Sequence, residues 1–110
     1  MEVTRINIRP LSVNEGYTGR RWKTDAHRAW HKSVLFLLPK MELPPPPYEL
    51  YLKFGFSSQA SDFDNCIKFF TDCLADKFKF NDKKIRRAII DIEIVPKGKE
   101  FIEFLLKTKT

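Results

Sequence analysis

Tyr48-Glu49-Leu50-Tyr51-Leu52-Lys53-Phe54-Gly55-Phe56 is the stretch that decides the fold. Its period of two is that of a half-buried strand, which predicts Tyr48, Leu50, Leu52, Phe54 and Phe56 on the core face and Glu49, Tyr51 and Lys53 on the other. Downstream the period changes. From Asp64 to about Lys79, an apolar stripe of Ile67, Phe69 or Phe70, Leu74 and Phe78 recurs at helical spacing, and Asp64, Lys68, Asp72 and Asp76 form an opposite row. Alternation then returns from Arg87 to Val95, with Ile90, Ile92 and Ile94 on one face and Asp91 and Glu93 on the other. Pro96-Lys97-Gly98-Lys99 reads as a turn, and Glu100 to Lys107 as a last strand.

Upstream, Val3 to Arg9 reads as a first strand with Thr4, Ile6 and Ile8 on one face, followed by a polar loop from Pro10 to Thr24. Thr24 is placed to cap a helix beginning at Asp25, along which Trp30, Val34, Leu37 and Leu38 face inward until Pro39 ends it. Pro44 to Pro47 reads as a stiff connector in preference to a polyproline ligand. The predicted order is β-α-β-α-β-β. This is an α+β chain with one mixed sheet and two helices, a single domain over residues 1–110.

Composition sets further bounds. The chain has 110 residues, 43% of them hydrophobic and ten of them Phe, enough for one core. No run of about 18 apolar residues predicts a membrane-spanning helix, and Met1 to Arg5 carries no apolar leader stretch. A cytosolic protein is expected. Cys66 and Cys73, seven apart on one predicted helix, are separated by roughly 10 Å along its axis, so buried free thiols are expected.

The charge is uneven. Formal net charge is +6 and pI about 9.4. Eight Lys and Arg against three acids (Glu2, Glu15, Asp25) fall in residues 1–40. That asymmetry suggests a polyanionic partner, although a solvated mixed-charge surface explains part of it.

Against this background five carboxylates, Asp62, Asp64, Asp72, Asp76 and Asp82, surround one lysine, Lys68. Clustered carboxylates repel one another and are relieved by a divalent cation. Asp62 and Asp64, two apart between a strand and a helix, can address one ion if that segment is extended. Asp82 is expected to return beside them through the loop before the next strand. Carboxylates, waters and phosphate oxygens make the hard oxygen site that Mg²⁺ prefers. Lys68, one turn above Asp64, can stabilise charge on a phosphate; the plainer reading is an ion pair with Asp64 or Asp72. Asp76 is assigned to solvent. His27 and His31 stand at i, i+4 on the first helix, but no third zinc ligand is within sequence reach, so a solvated or DNA-facing pair is favoured. Arg20, Arg21 and Lys23 around Trp22 resemble a nucleic-acid surface, the alternative being a loop whose Trp22 packs on the core.

Asp62-x-Asp64-Asn65-x-x-Lys68, followed by Asp72-x-Leu74 and Asp82-x-x-Ile85, resembles the signature of the RusA-type Holliday junction resolvases. Arg9-Pro10-Leu11-Ser12-x-Asn14, followed by a basic loop and a helix, is similar to that family's N-terminal region. The resemblance implies a homodimeric, Mg²⁺-dependent endonuclease (Mn²⁺ can substitute) that nicks opposing strands of four-way DNA junctions and leaves 5′-phosphate ends. It needs no small-molecule cofactor and no membrane, and it belongs to bacteria or phages. By the same resemblance Asp62, Asp64, Lys68 and Asp82 are the catalytic groups, Asp62, Asp64 and Asp82 hold the metal, and Asp72 supports Lys68. Arg9, Arg20, Arg21 and Lys23 are the expected DNA contacts. Two departures stand out. Some members carry an arginine run before the paired acids where this chain has Ser57-Ser58-Gln59-Ala60-Ser61, and Asn81-Asp82 lacks the glycine turn that often precedes it. The rival readings are a non-catalytic branched-DNA or single-stranded-DNA binding protein, and a nuclease of broader branched or flap specificity.

Overall fold

The computed structural model describes residues 3–11, 17–18, 22–58 and 63–110. Within them run β1 (Thr4–Ile6), β2 (Tyr17–Thr18), β3 (Trp22–Lys23), α1 (Asp25–Leu37), β4 (Tyr48–Phe56), α2 (Phe63–Phe78), β5 (Ile85–Ile94) and β6 (Phe101–Thr108). A 3₁₀ turn at Asp82–Lys84 precedes β5. One mixed sheet has the strand order β1-β6-β4-β5, and β2 and β3 form a separate two-residue ladder. The α+β class and the β-α-β-α-β-β order therefore hold, with that small ladder added where the sequence reads as polar loop. The β1 strand is shorter than predicted.

The central strand fixes the rest. β4 pairs in parallel with β5, from Tyr48↔Ile85 to Phe56↔Ile94, and antiparallel with β6. A parallel neighbour requires a crossover, which α2 supplies by running from the end of β4 back to the start of β5. The alternation in β4 is resolved as expected: Tyr48, Leu50, Leu52, Phe54 and Phe56 are buried. They meet Trp30, Val34 and Leu38 from α1 and Phe69, Phe70 and Leu74 from α2 in one core. Burial of each large apolar side chain contributes about 1.5–3 kcal/mol. Both Phe69 and Phe70 are fully inside, so the sequence alternative between them has no single winner.

Two expectations need correction. Leu37 is 43% exposed, because three residues after Val34 at 100° per residue carries it past the core-facing stripe. His27, expected to face solvent or DNA, joins the stripe instead and is buried with its ring 4.4 Å from that of Phe69. Ile90, Ile92 and Ile94 share one face as expected, and Ile92 and Ile94 are about half exposed, since β5 is an edge strand.

The opposite sheet face carries polar side chains in cross-strand pairs. Arg5 meets Glu103, Lys53 meets Glu93, and Glu49 receives both Arg87 and Lys107. These cations hold the Glu49 carboxyl below its usual range, the Lys107 hydrogen bond contributing most. The Tyr51 hydroxyl donates to Asp91, and burial followed by that carboxylate raises its pKa. On this face too, Phe101 lies across Gly55, with the Arg5 guanidinium 3.9 Å from the ring centroid. A Cβ at Gly55 would stand 2.5 Å from two carbons of that ring, so the strand needs glycine there.

The end of α2 solves the missing-glycine problem differently. Lys79 adopts φ 57°, and the Phe80 N–H donates to the Ala75 carbonyl at 3.3 Å. This is the six-to-one bond of a Schellman cap, with a lysine where glycine is usual. Phe80 then packs edge-on against Tyr48 at 5.5 Å, which anchors the turn to the sheet. No helix among the described residues is long and apolar enough to cross a membrane.

Candidate functional site

Asp64 lies in the first turn of α2, Lys68 one turn further and Asp72 one turn beyond that. The spacing of four keeps them on one helical face, away from the core-facing Phe69, Phe70 and Leu74. Asp64 and Lys68 are exposed and Asp72 is half-buried. Because Asp64 is helical, extended-chain geometry does not govern how it stands to Asp62, which lies outside the described residues. The row sits where the chain leaves the C-terminal end of β4, and in open α/β sheets ligands gather outside the carboxyl ends of parallel strands.

Asp82 is elsewhere. It opens the 3₁₀ turn that leads into β5, at the Tyr48 end of the β4–β5 pair, whereas Asp64 follows the Phe56 end. Fourteen residues of helix from Asp64 to Phe78 span about 21 Å at 1.5 Å per residue. The expectation that the loop returns Asp82 beside Asp64 of the same chain therefore does not hold; Asp62 lies outside the described residues. The amphipathic period of α2 continues unbroken to Phe78 and carries the chain to the far end of the sheet before the cap at Lys79 turns it. Asn81 shapes the local turn, its side-chain oxygen accepting from the Lys83 N–H at 2.9 Å. Among the described residues, no three His, Cys, Asp or Glu side chains converge to hold a metal ion within one chain.

Residues 9–11 strap across both helices at the Asp64 end. The Trp30 indole N–H donates to the Arg9 carbonyl at 2.7 Å, and the Cys66 thiol donates to the Leu11 carbonyl at 2.8 Å. Exposed Arg9 is thereby held near the start of α2. Glu100 is a carboxylate of this end that no sequence pattern singled out. The Ser57 hydroxyl holds its carboxyl below the usual range, helped by peptide N–H groups including that of Gly98 at 2.9 Å and by the charge of Arg9. Only the folded pairing of β4 and β6 brings Ser57 and Glu100 together, so no local signal could have found it. Arg20, Arg21 and the side chain of Lys23 lie outside the described residues.

The histidine pair does not face solvent as expected. His27 is core, and His31 joins the helices: its Nε2 is 2.9 Å from Asp76 Oδ2 and its Nδ1 is 3.4 Å from Cys73 Sγ. Asp76, assigned to solvent from sequence, thus has partners in His31 and, at 3.6 Å, Lys79. The His31 hydrogen bond, first among the causes, holds the Asp76 carboxyl below its ordinary range. A thiol, imidazole and carboxylate in a row are the parts of a nucleophilic triad, but Cys73 is fully buried and no substrate reaches it. The row works as an interhelical tie. Cys66 and Cys73 are buried thiols, as predicted.

Compared with models of known protein families and with curated protein sequences, the chain finds no match in either set.

Proposed function

We propose that this chain is a Mg²⁺-dependent, structure-selective endodeoxyribonuclease that resolves four-way DNA junctions by paired symmetric nicks, acting in the cytoplasm as a homodimer. The observation that carries the reading is the Asp64–Lys68–Asp72 row at the carboxyl end of β4, with Asp64 and Lys68 exposed, standing within the resolvase-like signature.

The separation of Asp64 from Asp82 supports a site shared between two copies. β5 ends the sheet order and so presents an edge ready to pair with another strand. On the open sheet face its N-terminal half carries Arg87 and its C-terminal half Asp91 and Glu93, while Ile89 and Ile92 are 46% and 45% exposed. A two-fold antiparallel pairing about Ile89 sets Arg87 against Asp91 of the other copy. It also carries the Asp82 end of one copy toward the Asp64 end of the other. A two-fold protein then meets a two-fold junction.

In such a site Asp62 and Asp64 of one copy and Asp82 of the other offer hard carboxylate oxygens, the donor class that suits Mg²⁺. When bound, the ion supplies Lewis acidity to the scissile phosphate and lowers the pKa of water. Lys68 sets its ammonium beside the same phosphate and stabilises developing negative charge. Asp72, one turn on, positions Lys68. Arg9 holds the backbone at the Asp64 end.

The test is a labelled synthetic four-way junction incubated with protein in Mg²⁺ or EDTA, beside Asp62→Asn and Asp82→Asn. Symmetric nicks in Mg²⁺ that both variants lose are expected. Binding without any nicking would leave the non-catalytic DNA-binding reading in its place. Equal cutting of linear duplex would remove the junction preference.

A further inference from the structure

We infer that the corner formed by the Asp82–Lys84 turn, the start of β5 and the Pro46–Pro47 wall is a second backbone-binding site for DNA, in which Lys84 and Arg86 each engage a phosphate. This deepens the proposed nuclease reading and rests on it. The sequence reading places DNA contacts in the N-terminal loop; this corner is a different surface.

Two independent observations support it. The first is charge. Several cations elsewhere on the described surface are matched by acids: Arg87 and Lys107 by Glu49, Lys53 by Glu93, Arg5 by Glu103, Lys79 by Asp76, and Arg28 by Asp25. Lys83, Lys84 and Arg86 are exposed, and none makes an ion pair among the described residues. The acid on their own turn is Asp82, which leaves a net positive corner. Three cations held close without partners repel one another, an arrangement that a polyanion relieves.

The second is shape. Lys84 and Arg86 line an open cleft of about 360 Å³ with Pro46 and Pro47. The proline connector is held against the sheet, since the Lys109 N–H donates to the Pro47 carbonyl at 2.8 Å. Two rigid apolar rings facing two cations match a sugar–phosphate unit, with ring against sugar edge and cation against phosphate. Arg86 offers the planar fork that fits two phosphate oxygens, and Lys84 a mobile point charge. Because Asp82 opens the same turn, a strand held here passes beside an acid assigned to the metal.

The prediction is read as salt dependence. Binding of a fluorescent 20-base-pair duplex and of a four-way junction is measured by anisotropy in EDTA over a range of salt, for wild type, Lys84→Gln/Arg86→Gln, and the control Lys97→Gln/Lys99→Gln. Each lost phosphate contact lowers the slope of log K against log[salt] by about 0.9, so the test variant should lose about 1.8 for each protomer that engages the DNA, and about 3.6 where both copies of a dimer do. Its circular dichroism melt should match wild type, since both side chains are exposed. An unchanged slope, or an equal loss in the control, overturns the inference. Since EDTA excludes cleavage, the outcome is separable from catalysis. A slope loss with no Mg²⁺-dependent nicking by wild type would keep this site and sink the nuclease, whereas an unchanged slope with nicking intact would do the reverse.

Discussion

If Asp64 and Asp82 serve one site while lying at opposite ends of α2, which rises about 21 Å from Asp64 to Phe78, two inactive variants should rescue each other. Asp64→Asn and Asp82→Asn protomers, each inactive alone, are mixed in equal amounts and allowed to exchange. Half of the dimers then contain one of each. Within a mixed dimer, one site receives both substituted residues, and the other receives the intact Asp82 of the first protomer and the intact Asp64 of the second. One whole site in half of the dimers is about a quarter of the wild-type complement. The assay is Mg²⁺-dependent nicking of a junction labelled on opposing strands. Because a mixed dimer holds one working site, the product should be singly nicked junction in place of resolved duplex. A site built within one chain predicts no recovery, since every site in the mixture then lacks one acid. Absence of nicking above the sum of the separate variants, with mass spectrometry confirming that mixed dimers formed, would refute the shared-site reasoning.

Other expectations concern the frame that holds the site. Gly55→Ala forces the Phe101 ring from under Arg5 and should destabilise by about 1–3 kcal/mol of overpacking, seen as a lower urea midpoint with unchanged m; in a Phe101→Ala background the same change should become neutral or stabilising. Lys79→Gly relieves a left-handed lysine, and a gain of about 0.5–1 kcal/mol is expected, less a few tenths for the exposed Asp76 contact; a loss would mean that the Schellman reading is wrong. For Glu49 the folded pKa lies below the unfolded one. Its contribution is therefore present above the unfolded value of about 4.3 and is lost as pH falls through the folded value. Glu49→Gln should lower the melting temperature at neutral pH, and the gap to wild type should close in acid.

Much of the fold is legible in the sequence because β4 and α2 state their periods without ambiguity. Tyr48 to Phe56 is a strand with the predicted limits, and α2 begins and ends within a residue of the expected positions. What failed depends on neighbours. The alternation of β5 puts Ile90, Ile92 and Ile94 on one face, but the strand's place at the sheet edge is set by pairing, so the half exposure of Ile92 and Ile94 is not legible in it. His27 reads as polar, yet the turn of α1 aims it at Phe69. The acid–lysine row is legible because helical spacing alone aligns it. The position of Asp82 is not, because it depends on the length of α2 against that of β4 and on which end of the sheet the crossover reaches. Glu100 and the Lys84–Arg86 corner share this character: each joins residues distant in sequence at one end of the sheet.

The ladder on the open sheet face has a consequence for how the molecule meets its partner. Arg5, Lys53, Arg87 and Lys107 stand there against Glu49, Asp91, Glu93 and Glu103, so that face is formally neutral. The whole net charge of +6 therefore belongs to the remaining surface. A protein so divided has a direction in an electric field. Near a polyanion it is turned before contact, with the neutral sheet face outward and the basic corner at the start of β5 among the leading surfaces. The cross-strand pairs thus do more than knit strands together: they leave one face of the sheet without net attraction for a polyanion.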